Sequence, residues 1–164
     1  MWEVALSGPD APVGWDAHAR ALERLYAGAP INGLFRSALA VAAPGEARID
    51  FEVMPEWSHA AGAAHGAAYV KMLDDAAFYA AASLVTDRFL LTTQFNLHFT
   101  RPLPLGPAWT EGRWVSGRRR VYVAEARLIG PDGEEAARGT GTFARSRIPL
   151  SEIGRASCRE RVSY

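Results

Sequence analysis

Between positions 67 and 84 the chain reads AAYVKMLDDAAFYAAASL, and no other segment restricts the fold so strongly. Alanine, leucine, methionine and lysine favour a helix, proline is absent, and the run is long enough for about five turns. At about 100° per residue, Tyr69, Met72, Leu73, Ala76, Tyr79 and Ala80 share one bulky face expected to pack on a core. Asp74 falls on the opposite side, among Ala67, Val70, Ala77, Phe78 and Ala81. Such small neighbours leave room for a ligand or a second backbone. Asp75 is rotated toward Lys71, four residues earlier, and an i,i+4 ion pair accounts for it. Asp74 is therefore the candidate functional carboxylate, with an ordinary helix-surface carboxylate as the alternative. His65 and Gly66 stand at the helix start, where backbone N–H groups have no partner within the helix.

The rest of the chain supplies strands to cover that helix. Residues 1–14 read as an arm. Residues 15–27 place Trp15, Ala19, Leu22, Leu25 and Tyr26 on one side of a short amphipathic helix, ended by Gly28 and Pro30. His18 lies by its polar face and is expected in solvent. Residues 34–41 and 47–53 are β-compatible runs joined by Ala-Pro-Gly-Glu, and Arg48, Asp50 and Glu52 alternate with Ile49, Phe51 and Val53. After the helix, LLTTQFNLHFTRP places Phe95, Leu97 and Phe99 toward the helix and Gln94, Asn96, His98 and Thr100 away from it. His98 is expected to be exposed or an oligomer contact. Strands at 108–116, 120–129 and 134–144 follow, separated by turns at 117–119 and 131–133. Two strands, one buried helix and a four-strand meander give an α+β fold with a single core.

Net charge is zero, so nothing points to a nucleic acid or an acidic membrane. No apolar run reaches a membrane span, and the N-terminus has no signal-peptide pattern, so a soluble cytoplasmic protein is expected. The histidines show no metal-ligand spacing, and no metal or other cofactor is expected. The stretch EIGRASCRERV, from Glu152, resembles the translation of a sequencing adapter, so 151–164 is expected to lie outside the fold together with Cys158, the one cysteine.

His65-Gly66-Ala67 at the helix start, Asp74 nine residues after His65, Arg101-Pro102 ending the next strand, Gly117-Arg118-Arg119 in a hairpin and GTGTF at 139–143 together resemble one family. It is the hotdog-fold acyl-CoA thioesterases of the phenylacetic-acid-degradation type, in the 4-hydroxybenzoyl-CoA thioesterase superfamily. The resemblance implies a curled antiparallel sheet of about six strands wrapped around one long helix, spanning 31–150, with 1–30 as arm and short helix. It also implies an acyl-CoA substrate and a homodimer, often paired into a homotetramer, with sites at the interface. The family's second glycine is Ala67 here, and a frequent asparagine six residues before the helix-start histidine is His59. The family's strand hydroxyl corresponds to Thr92 by counting back from Pro102, whereas strand alternation points Thr93 toward the helix.

Thioester hydrolysis needs an oxyanion donor and a base or nucleophile. A backbone N–H at Gly66, on a helix N-terminus, suits the first. Asp74 suits the second, by activating water or by direct attack. His65, His59 and Thr92 complete the candidate catalytic set, and Arg118, Arg119 and Arg101 are candidates for the phosphates of coenzyme A. Gly66 and Asp74 lie about 12 Å apart along one helix, too far to share a carbonyl, so the chemistry asks for two antiparallel helices across a twofold axis. A non-catalytic acyl-CoA-binding hotdog module and a hotdog dehydratase or hydratase are the alternatives.

Overall fold

The computed structural model describes residues 8–153; residues 1–7 and most of the expected foreign tail, with Cys158, lie outside the described residues. Helix α1 (Trp15–Gly28) buries Ala19, Leu22 and Tyr26 and packs on strand β1 (Ser37–Ala43). A turn at Pro44-Gly45, the glycine at φ 77°, leads into β2 (Glu46–Val53). Along β2, Ala47, Ile49, Phe51 and Val53 are buried while the residues between them are exposed, the period-2 pattern that the sequence predicts. Helix α2 (Gly66–Ala82) follows, and then β3 (Arg88–Phe99), β4 (Gly106–Ser116), β5 (Val121–Ile129) and β6 (Glu135–Pro149).

The six strands form one antiparallel sheet in the order β1-β2-β4-β5-β6-β3, wrapped on α2: the hotdog arrangement. The four strands after α2 do not form the expected single meander. Only β4, β5 and β6 form one, β4 pairs with β2, and β3 lies at the far edge against β6. The connector 100–105 contains Pro102 and Pro104, which suit an extended crossing rather than a tight hairpin. It passes beneath the start of α2, where the buried Leu103 accepts a hydrogen bond from the N–H of Ala64 (3.3 Å). Three strand spacings are about 14 Å, within reach of six extended residues.

The sheet meets α2 at close range. A Cβ at Gly112 of β4 would lie 2.0 Å from the carbonyl oxygen of Ala76, so only glycine lets the two backbones approach this far. Ala77 and Ala81, which helical spacing puts on the small face around Asp74, are fully buried against the protein's own sheet. The sheet curls past the bulky face and takes them in. What remains open on the Asp74 side is a narrower flank, with exposed Ala67 and Val70 and half-buried Asp74 and Phe78.

The far end of α2 is tied down. Ser83 Oγ donates to the carbonyl of Ala80 (2.7 Å) and accepts from the N–H of Gly45 (2.8 Å). His18 is not a solvated residue: its Nε2 donates to the carbonyl of Ala82 (2.8 Å), one of the last carbonyls of α2. At one sheet edge Val41 gives its N–H to Glu23 (2.9 Å) and receives a bond from Arg20 at its carbonyl (2.7 Å), so α1 caps β1. On β6, Gly139 and Gly141 make room for the ring of Phe95, which lies 2.5 and 2.6 Å from where their Cβ atoms would be.

Candidate functional site

Asp74 stands on the third turn of α2 beside the edge strand β3. Thr92 Oγ1 donates to its Oδ1 at 3.0 Å. The register explains why Thr92 and not Thr93 reaches the helix. Thr92 pairs with Phe143 and Gln94 with Thr142, so one extra residue is inserted between them. This bulge at Thr93 inverts the alternation. Leu90 and Thr92 face the helix before it, and Phe95, Leu97 and Phe99 after it. Thr93 turns instead to the carbonyl of Thr142 (3.1 Å).

Helix and strand run antiparallel here and meet in three successive contacts. Tyr69 and Phe99 stack edge to face (5.2 Å between centroids), Asp74 and Thr92 are hydrogen-bonded, and Phe78 and Phe89 are in ring contact (5.3 Å). The carboxylate is thus bracketed by aromatic pairs. Burial pushes the Asp74 carboxyl above the usual carboxylate range, with a further push from Asp75, against the opposing pulls of Thr92 and Lys71. Asp75 forms the expected ion pair with Lys71, and burial raises its pKa as well.

At the helix start, His65 is the N-cap: its Nδ1 accepts from the N–H of Ala67 (3.0 Å). Its carbonyl accepts from Ala68 (3.0 Å). The helix begins at Gly66 itself, and among the described residues the N–H of Gly66 has no acceptor. The ring of Phe99 lies 3.4 Å from where a Gly66 Cβ would stand. His59 begins the loop before the helix; its Nδ1 accepts from the N–H of Ala61 (3.0 Å), and its backbone closes onto Ala63 and Gly62.

The three candidate arginines are not brought together. Arg101 lies near the start of α2, where its carbonyl accepts from Tyr69 Oη (2.9 Å) and its guanidinium faces Asp132 and Glu134, each at 3.7 Å. Arg118 and Arg119 are exposed on the β4–β5 hairpin, and Arg118 lies over the ring of Trp114 (5.8 Å to the centroid). That hairpin borders Leu84, just past the other end of α2. The two ends of a helix of this length are about 25 Å apart. A larger groove of about 420 Å³ lies away from all these residues, beside Ala40, Arg48, Glu111, Arg113 and Arg127. Two of its arginines pair with its glutamates, Arg127 with Glu111 (2.7 Å) and Arg113 with Glu125 (2.7 Å). Among the described residues no cluster of histidine, cysteine and carboxylate side chains has the makings of a metal site, and no helix is long and apolar enough to cross a membrane.

Sequence reasoning missed the surroundings of Lys71. Its ammonium also donates to Asn32 Oδ1 (2.6 Å) and lies over the rings of Tyr26 and Phe35. Asn32 sits in a short 3-10 turn (Pro30–Leu34), which carries no periodic signal from which such a contact could be read.

Comparison with known proteins bears on this geometry. Residues 61–137, which include α2, β3, β4 and β5, match the family model of the thioesterase superfamily. No curated protein sequence matches the chain. Among solved structures, a thioesterase family protein from Silicibacter pomeroyi superimposes with a TM-score of 0.73 at 24% identity, covering 78% of this chain and 97% of that one. The PaaI protein of the E. coli phenylacetic acid degradation operon gives 0.73 at 15% identity, covering 82% and 95%. The protein smu.793 from Streptococcus mutans, bound to acetyl CoA, gives 0.62 at 21% identity, covering 67% and 88%.

Proposed function

We propose that the chain, whose residues 61–137 match the family model of the thioesterase superfamily, is a member of it and hydrolyses an acyl-CoA thioester to the free acid and CoA. One observation carries the reading: a half-buried carboxylate with a raised pKa, Asp74, held by Thr92 on the open flank of α2. Acetyl CoA bound by the Streptococcus mutans neighbour supports a CoA ester as the substrate class.

In the reaction the thioester carbonyl oxygen accepts from the N–H of Gly66. That N–H suits the task because its neighbours are occupied: His65 Nδ1 takes the N–H of Ala67 and the His65 carbonyl takes that of Ala68. The helix dipole adds positive potential where the oxyanion forms. Asp74 either removes a proton from the attacking water or attacks the carbonyl carbon to give an anhydride that water opens; both routes release CoA as the thiol. Thr92 holds Oδ1 and leaves Oδ2 for this work. His59, with Nδ1 occupied by Ala61, keeps Nε2 to donate to the carbonyl. Arg118 and Arg119 are assigned to the phosphates; Arg101, facing two carboxylates, is the weaker partner.

The separation of Gly66 from Asp74 requires a homodimer, in which the Gly66 of one protomer serves the Asp74 of the other. Supporting it, β3 is an edge strand with exposed Leu91 and Phe99, and it runs along the flank where Val70 is also exposed.

The test is thiol release from a panel of short, long and aryl acyl-CoAs by the wild type and Asp74→Asn, with the oligomer measured for both. A loss of about 100-fold or more in Asp74→Asn with unchanged assembly is expected. Equal activity would remove Asp74 from the mechanism. Binding of CoA esters without turnover by the wild type would make the protein a binding module.

A further inference from the structure

Lys71 stands three residues before Asp74 and four before Asp75, so its ammonium can reach either carboxylate. It takes Asp75. Three groups from outside the helix hold it there. Asn32 Oδ1 accepts from Nζ at 2.6 Å, and the rings of Tyr26 and Phe35 lie 5.3 and 5.2 Å from the ammonium, within cation–π range. Asn32 is itself fixed, its Nδ2 donating to the carbonyl of Tyr26 (2.7 Å). The pair is well covered, with the Lys71 side chain 12% exposed and that of Asp75 23%.

We propose that this cage, built by the end of α1 and the turn after it, keeps the Lys71 ammonium from direct contact with Asp74, so that among the described residues Asp74 has no ion-pair partner and feels Lys71 only at a distance. The inference rests on the reading of Asp74 as base or nucleophile and adds to it two positioning residues, Lys71 and Asp75, neither of which touches the substrate. An ammonium on Asp74 would stabilise its charged form, weaken it as a base and occupy the oxygen that Thr92 leaves open. The groups facing Asp74 are Thr92 from β3 and Lys71 and Asp75 from its own helix. Facing Asp75 are Lys71, Tyr26 and Tyr79. Burial holds both tyrosines neutral, pushing Tyr26 up to about 12 and Tyr79 higher still, so neither competes for the ammonium near neutral pH.

Removing the charge from Asp75 tests the idea. In Asp75→Asn the ammonium turns to Asp74. The Asp74 carboxyl, followed by ¹³C NMR in aspartate-labelled protein, is expected to titrate about one pH unit lower than in the wild type. The acid limb of the pH–rate profile moves down with it, and kcat falls while KM holds. The double variant Lys71→Met/Asp75→Asn removes both members of this pair and orphans neither charge, so it is expected to fold. In it the Asp74 titration returns to the wild-type position or above. Thermal unfolding reads the integrity of each protein. An unmoved Asp74 titration in Asp75→Asn overturns the proposal, as does a double variant that titrates as low as the single one, since the charge of Asp75 rather than the migration of Lys71 would then be the cause. A carboxyl that moves while the acid limb stays fixed keeps the charge arrangement and removes Asp74 as the base.

Discussion

Asp74 binds its proton more tightly in the folded protein than in the unfolded chain, because burial raises its pKa. Its ionisation therefore opposes folding. As pH falls from neutral through the raised pKa, the native state takes up the proton first and gains stability; below the ordinary value near 3.8 the gain levels off. Asp74→Asn removes the charge and keeps an oxygen for Thr92. The variant is expected to melt higher than the wild type at pH 7, with the difference shrinking toward pH 4 in a series of thermal unfolding curves. A difference independent of pH would contradict the burial argument. Thr110 gives a second test at this scale. It is fully buried on β4, and its Oγ1 has no hydrogen-bond partner among the described residues. Thr110→Val removes an unsatisfied hydroxyl at nearly constant volume and should add roughly 1 kcal/mol, read from denaturant midpoints.

Elements depend on how closely they approach. Gly112→Ala would drive a methyl group into the backbone of Ala76, where no side chain can give way. A loss of roughly 3 kcal/mol is expected from chemical denaturation. Most of this level was legible in the sequence. The composition of 67–84 predicts α2, the alternation of Arg48 to Val53 predicts β2, and Pro44-Gly45 and Asp132-Gly133 mark hairpins that the structure contains. The pairing of β3 was not legible, because a proline-containing connector states that no hairpin forms but not where the strand goes. The bulge was hidden for a different reason. Two adjacent threonines carry no hydrophobic phase, so the inverted alternation between Leu90 and Phe95 left no mark, and counting from Pro102 reached Thr92 where alternation did not. His18 was misread because its partner is a backbone carbonyl 64 residues away, which no local pattern encodes.

The whole molecule has two unlike sheet edges. One, β1, is closed by α1 through Arg20 and Glu23; the other, β3, has no strand beyond it among the described residues and carries exposed Leu91 and Phe99 beside the candidate site. A long uncovered edge invites another strand. Under the proposed dimer, Leu91→Lys should shift the mass measured by light scattering toward the monomer and lower thiol release in proportion, since Gly66 and Asp74 of one protomer cannot serve one carbonyl. A monomeric wild type with full activity would refute the shared site.

The opposite edge bears on where this protein can be cut. In sequence the first thirty residues read as an arm and a short helix ahead of the hotdog domain. In the structure α1 supplies both hydrogen-bond partners of Val41, through His18 it supplies an anchor for the end of α2, and through Tyr26 part of the cage around Lys71. Trimming the gene to begin at Ile31 would bare a strand, loosen a helix end and take one wall from the cage around Lys71 in a single step. A protein begun at Ile31 is therefore expected to unfold at a lower temperature than one that keeps α1, and thermal unfolding of the two would show it.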